Sequence, residues 1–149
     1  MAPANEDDDP VIRRLEDQID WYNRKSAANQ TTYKRLKVAE IVAAAVIPFL
    51  AALDLDNGRW AIGALGVIIT IFEGLLSLNQ YQQNWIAYRS TCEALKHEKF
   101  AFLARASSYA NVENARALLA ERVESLVSQE HAKWAADQQK AAKPQPAAA

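Results

Sequence analysis

The fold is decided by residues 38–78, which read VAEIVAAAVIPFLAALDLDNGRWAIGALGVIITIFEGLLSL. Two apolar segments flank a short polar stretch that contains Asn57-Gly58, a strong turn dipeptide. Thirteen uncharged residues lie between Glu40 and the first aspartate of the turn, and thirteen lie between the arginine of the turn and Glu73. Folding the chain at this turn brings the two glutamates to the same height on adjacent antiparallel helices.

The two apolar segments predict a membrane-spanning helical hairpin, with spans at about 38–55 and 60–78. About 20 mostly apolar residues, at 1.5 Å each, cross a bilayer core of ~30 Å. Each segment reaches this length only when its glutamate is included, and a carboxylate in a span costs about 2–3 kcal/mol on insertion scales. A soluble four-helix bundle built around the same hairpin therefore stays open as an alternative.

Charge and aromatic patterning favour the membrane over the soluble bundle. Lys and Arg cluster outside the open end of the hairpin, whereas the turn carries one arginine beside two aspartates. This distribution predicts an inner (plasma) membrane protein with both termini in the cytoplasm. Aromatic rings mark both expected interfaces, with Trp60 at the turn and Tyr33, Tyr81 and Trp85 at the other end. The second span is apolar on nearly every face, as a lipid-exposed helix must be.

The rest of the chain predicts long cytoplasmic helices that form a bundle, so the expected fold class is all-α. Asp9-Pro10 favours a helix start, and that helix, over 10–37, runs on into the first span. Further cytoplasmic helices occupy 79–134: one from about Gln80 to Ser107, then a last one capped by Asn111. The acidic residues 1–9 and the Ala-, Gln- and Pro-rich residues 135–149 are expected to be disordered.

Polar and small residues within the hairpin are the candidate functional positions. One face of the second span is small or polar throughout, and such a face either packs against a helix or lines water. Stacked carboxylates from a symmetric oligomer would favour cations in a pore. We expect pore-lining or intramembrane polar roles for Glu40, Glu73, Thr70 and Ser77, helix packing at Gly63, Gly66 and Gly74, and a helix kink at Pro48.

Composition argues against several other classes of protein. A net charge of −1 does not suit a nucleic-acid binder. The chain shows no Gly-rich phosphate loop, no metal-ligand cluster and no nucleophile beside a base, so we expect no enzyme, no cofactor and no metal. Cys92, His97 and His131 are expected to be packing or surface residues. Arg89 and Glu93 are i, i+4 neighbours, and such pairs normally just support a helix.

Beyond the hairpin, a set of motif residues is similar to the bacterial SLATT-type two-transmembrane proteins, many of which are known only as a domain of unknown function. The resemblance covers roughly residues 12–134 and is most specific in the block 85–98. It implies a membrane effector that forms pores in nucleotide-signal-dependent defence, although no nucleotide-sensing or nuclease domain accompanies it within these 149 residues. The residues that carry it are Trp21-Tyr22, Pro48, Trp85, Tyr88, Arg89, Glu93, Leu95, Glu98, Tyr109, Glu130 and Trp134.

Taken together, these patterns lead us to expect a homo-oligomeric integral membrane protein that forms a cation-favouring channel or pore. Its partners would be the lipid bilayer, further copies of the chain and ions, with no nucleic acid. Two alternatives belong to other classes: a non-conducting membrane scaffold that recruits a cytoplasmic partner, and a soluble four-helix-bundle adaptor.

Overall fold

A computed structural model of the chain describes residues 9–53 and 58–142, apart from the side chains of residues 133, 134, 137, 138 and 140–142. Over these ranges the protein is all-helical and has no strand, in agreement with the predicted all-α class. The elements are α1 (Pro10–Ala52), α2 (Gly58–Asn79), α3 (Tyr81–Leu103), a 3-10 helix (Ser107–Tyr109) and α4 (Ala115–Ala142).

Helix packing divides the chain into two compact units. The terminal unit comprises Met1–Asn23 and Ala87–Ala149, and the hairpin unit comprises Arg24–Ile86. The described part of the terminal unit therefore holds the start of α1, most of α3, the 3-10 helix and α4. The hairpin unit holds the rest of α1, all of α2 and the first turns of α3.

Helix α1 begins where the sequence indicates and runs without interruption for 43 residues. Asp9 Oδ1 accepts a hydrogen bond of 3.0 Å from the backbone N–H of Val11, and Pro10 occupies a first-turn position where a missing N–H costs nothing. The helix continues through Pro48 to Ala52. Side chains that recur along α1 at alternating spacings of three and four residues, a heptad pattern, are buried or half-buried: Ile12, Leu15, Ile19, Tyr22, Ser26, Asn29, Tyr33 and Leu36.

The terminal unit has a true hydrophobic core. The thiol of Cys92 is fully buried and lies 3.6 Å from the carbonyl oxygen of Ile19, so it is a packing residue as expected. Leu15, Leu95 and Leu119 are likewise fully buried, and together they join α1, α3 and α4. The core residues are Ile12, Leu15, Tyr22, Cys92, Leu95, Ala101, Tyr109, Leu119 and Val123.

In the hairpin unit α1 and α2 lie side by side and antiparallel, but most of their apolar surface stays uncovered. The half-buried or buried face of α2 follows helical spacing at Ile62, Leu65, Ile69, Phe72 and Leu76. Outside that face, eleven large apolar side chains of residues 38–78 are exposed: Val38, Ile41, Val42, Phe49, Leu53, Trp60, Val67, Ile68, Ile71, Leu75 and Leu78.

One helical stretch of the described ranges is long and apolar enough to cross a membrane. It lies within Gly58–Tyr109, where an 18-residue window has a mean hydropathy of 2.1 and is only 6% buried. Helix α1 supplies no second such window among the described residues, because it ends at Ala52 and its apolar part begins only after Lys37. Residues 54–57, which contain the predicted turn and complete the predicted first span, lie outside the described ranges.

The boundary between α2 and α3 differs from the sequence-based expectation. Gln80 separates the two helices and adopts a positive φ of 47°, a conformation that L side chains rarely adopt. Helix α3 then ends at Leu103 rather than near Ser107, so Ala106 lies beyond the helix and is exposed. A C-terminal cap ends the helix: the N–H of Ala106 donates to the carbonyl of Ala101, and Arg105 takes the left-handed position at φ 48°.

Helix α4 also corrects two expectations. Its N-terminal cap is Asn114 and not Asn111: Asn114 Oδ1 accepts a hydrogen bond of 3.1 Å from the N–H of Ala117. The helix extends to Ala142, whereas the composition of 135–149 predicts disorder from Ala135 onward. Ala, Gln and Lys are among the better helix formers, which explains the extension. The expected disorder of 1–8 and 143–149 falls outside the described residues.

Candidate functional site

The strongest candidate site is an ion-pair cluster of Lys37, Glu40 and Glu73 in the hairpin unit. Lys37 Nζ donates to Glu40 Oε2 at 3.0 Å and to Glu73 Oε2 at 3.2 Å. Glu40 lies one turn after Lys37 on α1, and Glu73 reaches the same ammonium from α2. The two glutamates that the sequence places at one height therefore share a single positively charged partner.

The three side chains differ in their exposure to solvent. The Glu40 side chain is 17% exposed, that of Lys37 is 37% exposed, and that of Glu73 is 59% exposed. Lys37 lies directly before the predicted first span, and its hydrogen bonds to Glu40 and then to Glu73 raise its pKa above the ordinary value. The ammonium is therefore charged at neutral pH, and the cluster carries one positive and up to two negative charges.

An open cavity of about 330 Å³ adjoins the cluster. Lys37 and Glu73 line it together with Tyr33, Ser77 and Gln80. Carboxylate, hydroxyl and amide oxygens are hard ligands that suit small cations better than anions. Ser77 thus lies beside the two charged residues, as its place on the polar face of α2 suggests.

The other hairpin positions form no pairing with the cluster in the described structure. Thr70 Oγ1 donates to the carbonyl of Gly66 at 2.9 Å, so its hydroxyl is satisfied within its own helix. Apart from the neighbouring backbone of α2 itself, a Cβ added at Gly63, Gly66 or Gly74 would meet no described atom within 4 Å. These three glycines therefore do not pack against α1, and their predicted packing role requires another molecule. Pro48 is exposed inside α1.

The aromatic motif residues fall into both units. In the terminal unit, the Tyr88 ring is half-buried and contacts the rings of Trp21 and Tyr22, with centroids 5.8 and 6.1 Å away. In the hairpin unit, the backbone carbonyl of Trp85 accepts from Ser26 Oγ at 3.2 Å, while its buried indole N–H has no partner among the described residues. The backbone of Trp134 lies in α4, and its side chain is outside the described set.

The charged motif residues of α3 separate into two groups in the terminal unit. Arg89 pairs with Glu93 at 2.9 Å on an exposed face, as the i, i+4 spacing indicates, and Glu93 also pairs with Lys96. Glu98 differs because its side chain is only 14% exposed. Its carboxylate accepts from Tyr109 at 2.6 Å and from Arg122 at 2.9 Å, which ties α3 to the 3-10 helix and to α4.

Sequence reasoning missed two residues that organise these contacts. Lys37 belongs to the basic residues outside the hairpin, and its i, i+3 spacing to Glu40 is a local signal for an ion pair. Arg122 carries no such signal, because its partners Glu98 and Ser108 lie 24 and 14 residues away. Across the described ranges, no three His, Cys, Asp or Glu side chains gather in a way that could hold a metal ion.

Comparison with known proteins places the chain in a family without assigning it a role. A family of proteins of unknown function, DUF4231, matches residues 17–117, which is most of the chain, and the protein belongs to that family. The match includes the Lys37 cluster and the motif block of α3 but stops before Arg122 and Glu130. Neither the curated proteins nor the solved structures gave a match.

Proposed function

We propose that the protein is an integral membrane protein that assembles as a homo-oligomer and conducts ions, with cations favoured. The C-terminal part of α1 and the whole of α2 form the membrane-spanning hairpin, and the terminal unit lies in the cytoplasm with both chain ends. The polar layer of the channel contains Glu73 and Glu40.

The observation that carries this proposal is the uncovered apolar surface of the hairpin unit. Soluble monomers rarely expose contiguous apolar patches larger than a few hundred Å². Here eleven large apolar side chains of residues 38–78 are exposed, among them Trp60 at 74% and Leu78 at 84%. Lipid would cover this surface, whereas the terminal unit already has a closed core. The same surface argues against the soluble four-helix-bundle adaptor.

Helix lengths fit this arrangement. The 22 residues of α2 cover about 33 Å at 1.5 Å per residue, enough for a bilayer core of ~30 Å. The predicted first span, residues 38–55, covers about 27 Å on the same basis, so it would need local thinning or interfacial anchors. Both spans place their glutamates toward the end where the basic residues cluster.

Assembly is supported by the glycine positions of α2, which no other described helix covers. Gly63, Gly66 and Gly74 leave space for a close helix neighbour, and small residues at this spacing favour helix association in membranes. Glu73 is adjacent to Gly74 and 59% exposed, so in an oligomer it would point toward a shared interior. The resemblance to SLATT-type proteins, for which pore formation is proposed, supports the same role.

A second candidate function, the non-conducting membrane scaffold, is favoured by one observation. Lys37 already pairs with both glutamates, and the Thr70 hydroxyl bonds to its own helix. Polar groups with internal partners can sit at a membrane boundary without an aqueous path. In that case the hairpin would anchor the terminal unit, which would recruit a cytoplasmic protein.

Ion flux from liposomes that contain the purified full chain separates the two functions. The channel proposal expects flux from the wild type, reduced cation preference in Glu73→Gln, and unchanged oligomer size by light scattering. Glu93→Gln is the matched control, because Glu93 is also half-exposed but lies on α3 outside the hairpin. A well-assembled wild type without flux would contradict conduction and leave the scaffold. If Glu73→Gln and Glu93→Gln conduct ions with the same selectivity, Glu73 does not line the conduction path.

A further inference from the structure

The charge of the glutamate layer depends on Lys37. One ammonium lies 3.0 Å from a Glu40 oxygen and 3.2 Å from a Glu73 oxygen, so with both carboxylates ionised the three residues sum to −1 rather than −2. Lysine carries its charge as a compact ammonium on a flexible four-carbon stem. The Lys37 ammonium, which is covalently attached to the chain, therefore occupies the position that a free cation would take between the two carboxylates.

Lys37 also faces the space that a free cation would use. The open cavity of about 330 Å³ is lined by Lys37, Glu73, Ser77 and Gln80, and Glu73 is 59% exposed toward solvent. A cation that enters this cavity meets the Glu73 carboxylate already paired with the ammonium. An incoming cation must therefore compete with the Lys37 ammonium for the carboxylate oxygens.

We propose that Lys37 is the selectivity-determining residue of the glutamate layer, where its ammonium competes with permeant small cations for Glu40 and Glu73. This inference rests on the proposed conduction and adds a specific regulator of it. Removing the ammonium doubles the net negative charge of the layer and strengthens its preference for cations. Retaining a positive charge at this position preserves the wild-type preference.

The chain offers a matched control three residues away. Lys34 carries the same charge on the same helix, is exposed, and forms no ion pair with any described residue. Exposed charges act on their surroundings only through a screened potential that fades over about 10 Å at 0.1 M salt. Neutralising Lys34 therefore tests a general surface effect, whereas neutralising Lys37 tests the pairing with the glutamates.

The experiment measures the cation-to-anion permeability ratio of the full chain in planar bilayers under a potassium chloride gradient. Lys37→Gln is expected to raise the ratio roughly three- to tenfold, since charged rings set selectivity in this way. Lys37→Arg and Lys34→Gln are expected to match the wild type. An unchanged ratio in Lys37→Gln, or an equal rise in Lys34→Gln, would overturn the inference while conduction stands.

Two further variants keep the test decisive if Lys37→Gln does not assemble. Glu73→Gln reduces the layer to a sum of 0, and Lys37→Gln combined with Glu73→Gln restores the wild-type sum of −1. The double variant is expected to recover the wild-type ratio, above that of Glu73→Gln alone. Equal ratios in these two variants would overturn the inference. A wild type that assembles but conducts no ions would overturn the proposed conduction, and the inference with it.

Discussion

Tyr22 on α1 donates a hydrogen bond of 3.2 Å from its phenol to the carboxylate of Glu130 on α4, across 108 positions of the chain. Both residues are buried in the terminal unit, where Tyr22 is 1% exposed and Glu130 is 9% exposed. The bond thus joins the first and last helices of that unit and gives a buried carboxylate a partner. His131 lies 3.7 Å from the same carboxylate and pairs with it only when protonated.

Replacing Tyr22 by Phe is expected to lower the free energy of unfolding by about 1–3 kcal/mol, because Glu130 then keeps its burial and loses its donor. The measurement is chemical unfolding of the full chain in detergent micelles, followed by circular dichroism. Glu121→Gln is the control, since Glu121 is an exposed carboxylate on the same helix. Equal stability of Tyr22→Phe and the wild type would show that the bond contributes nothing.

The Glu98 network predicts that substituting Arg122 costs much more stability than substituting Arg89. Arg122→Met leaves the mostly buried Glu98 carboxylate with Tyr109 alone and should cost about 1–3 kcal/mol. Arg89→Met removes an exposed i, i+4 pair with Glu93 and should cost about 0.3–0.5 kcal/mol. Thermal unfolding of the two variants side by side checks this order. A larger loss of stability from Arg89→Met than from Arg122→Met would contradict the conclusion that the Glu98 network stabilises the terminal unit.

Alkaline pH is expected to destabilise the terminal unit. Burial raises the pKa of Tyr22, with a further contribution from Glu130, and burial followed by the hydrogen bond to Glu98 raises the pKa of Tyr109, both above the ordinary value of 10.0. Above pH 10 the unfolded chain releases phenolic protons that the folded chain retains. The stability that these two phenols contribute at pH values below their ordinary pKa is therefore lost as the pH rises toward their pKa values in the folded protein.

A spectroscopic titration of phenolate absorbance tests this pH dependence. The wild type should show a fraction of its five tyrosines ionising only when the chain unfolds, and Tyr22→Phe should reduce that fraction by one residue. Simple ionisation of all tyrosines near the ordinary pKa, with no accompanying unfolding, would contradict the burial and hydrogen bonding of Tyr22 and Tyr109.

The cap at the end of α3 predicts a stabilising substitution. Arg105 adopts φ 48° at the position where glycine is preferred, and its N–H bonds back to the carbonyl of Phe102 at 3.1 Å. Arg105→Gly relieves a left-handed strain of about 1–2 kcal/mol, partly offset by greater freedom of the unfolded chain, for a net gain of about 0.5–1 kcal/mol. Arg105→Ala retains the strain and serves as the control. Thermal unfolding that shows no difference between the two variants would contradict the strained cap.

Local signals account for what the sequence predicts correctly. Asp9-Pro10 marks the start of α1 through a cap that needs only neighbouring residues. The buried or half-buried positions of α1 from Ile12 to Leu36 follow the heptad spacing of the sequence. The uncovered apolar character of α2 likewise follows from composition. These features depend on short stretches of chain, which single-sequence reasoning can evaluate.

The features that the sequence misses depend on distant contacts or on competing local signals. Gln80 and Arg105 take left-handed conformations without a glycine or asparagine to announce them. Two asparagines precede α4, and the 3-10 helix that brings Tyr109 to Glu98 moves the helix start to the later one, Asn114. The i, i+3 pair of Lys37 with Glu40 has a local signal, whereas the bond of Lys37 to Glu73 has none, because Glu73 lies 36 residues away on another helix.

The most direct test of the membrane-spanning hairpin is alkaline carbonate extraction of membranes from cells that express the full chain, with pellet and supernatant compared by blotting. If the hairpin spans the membrane, the wild type stays in the pellet and is released only by detergent. Val67→Lys combined with Ile71→Lys, at two exposed positions one turn apart, should shift the protein toward the supernatant, because each lysine costs about 2.5–3.5 kcal/mol in a span. Recovery of the wild type in the supernatant would contradict the membrane-spanning hairpin, and the proposed channel with it.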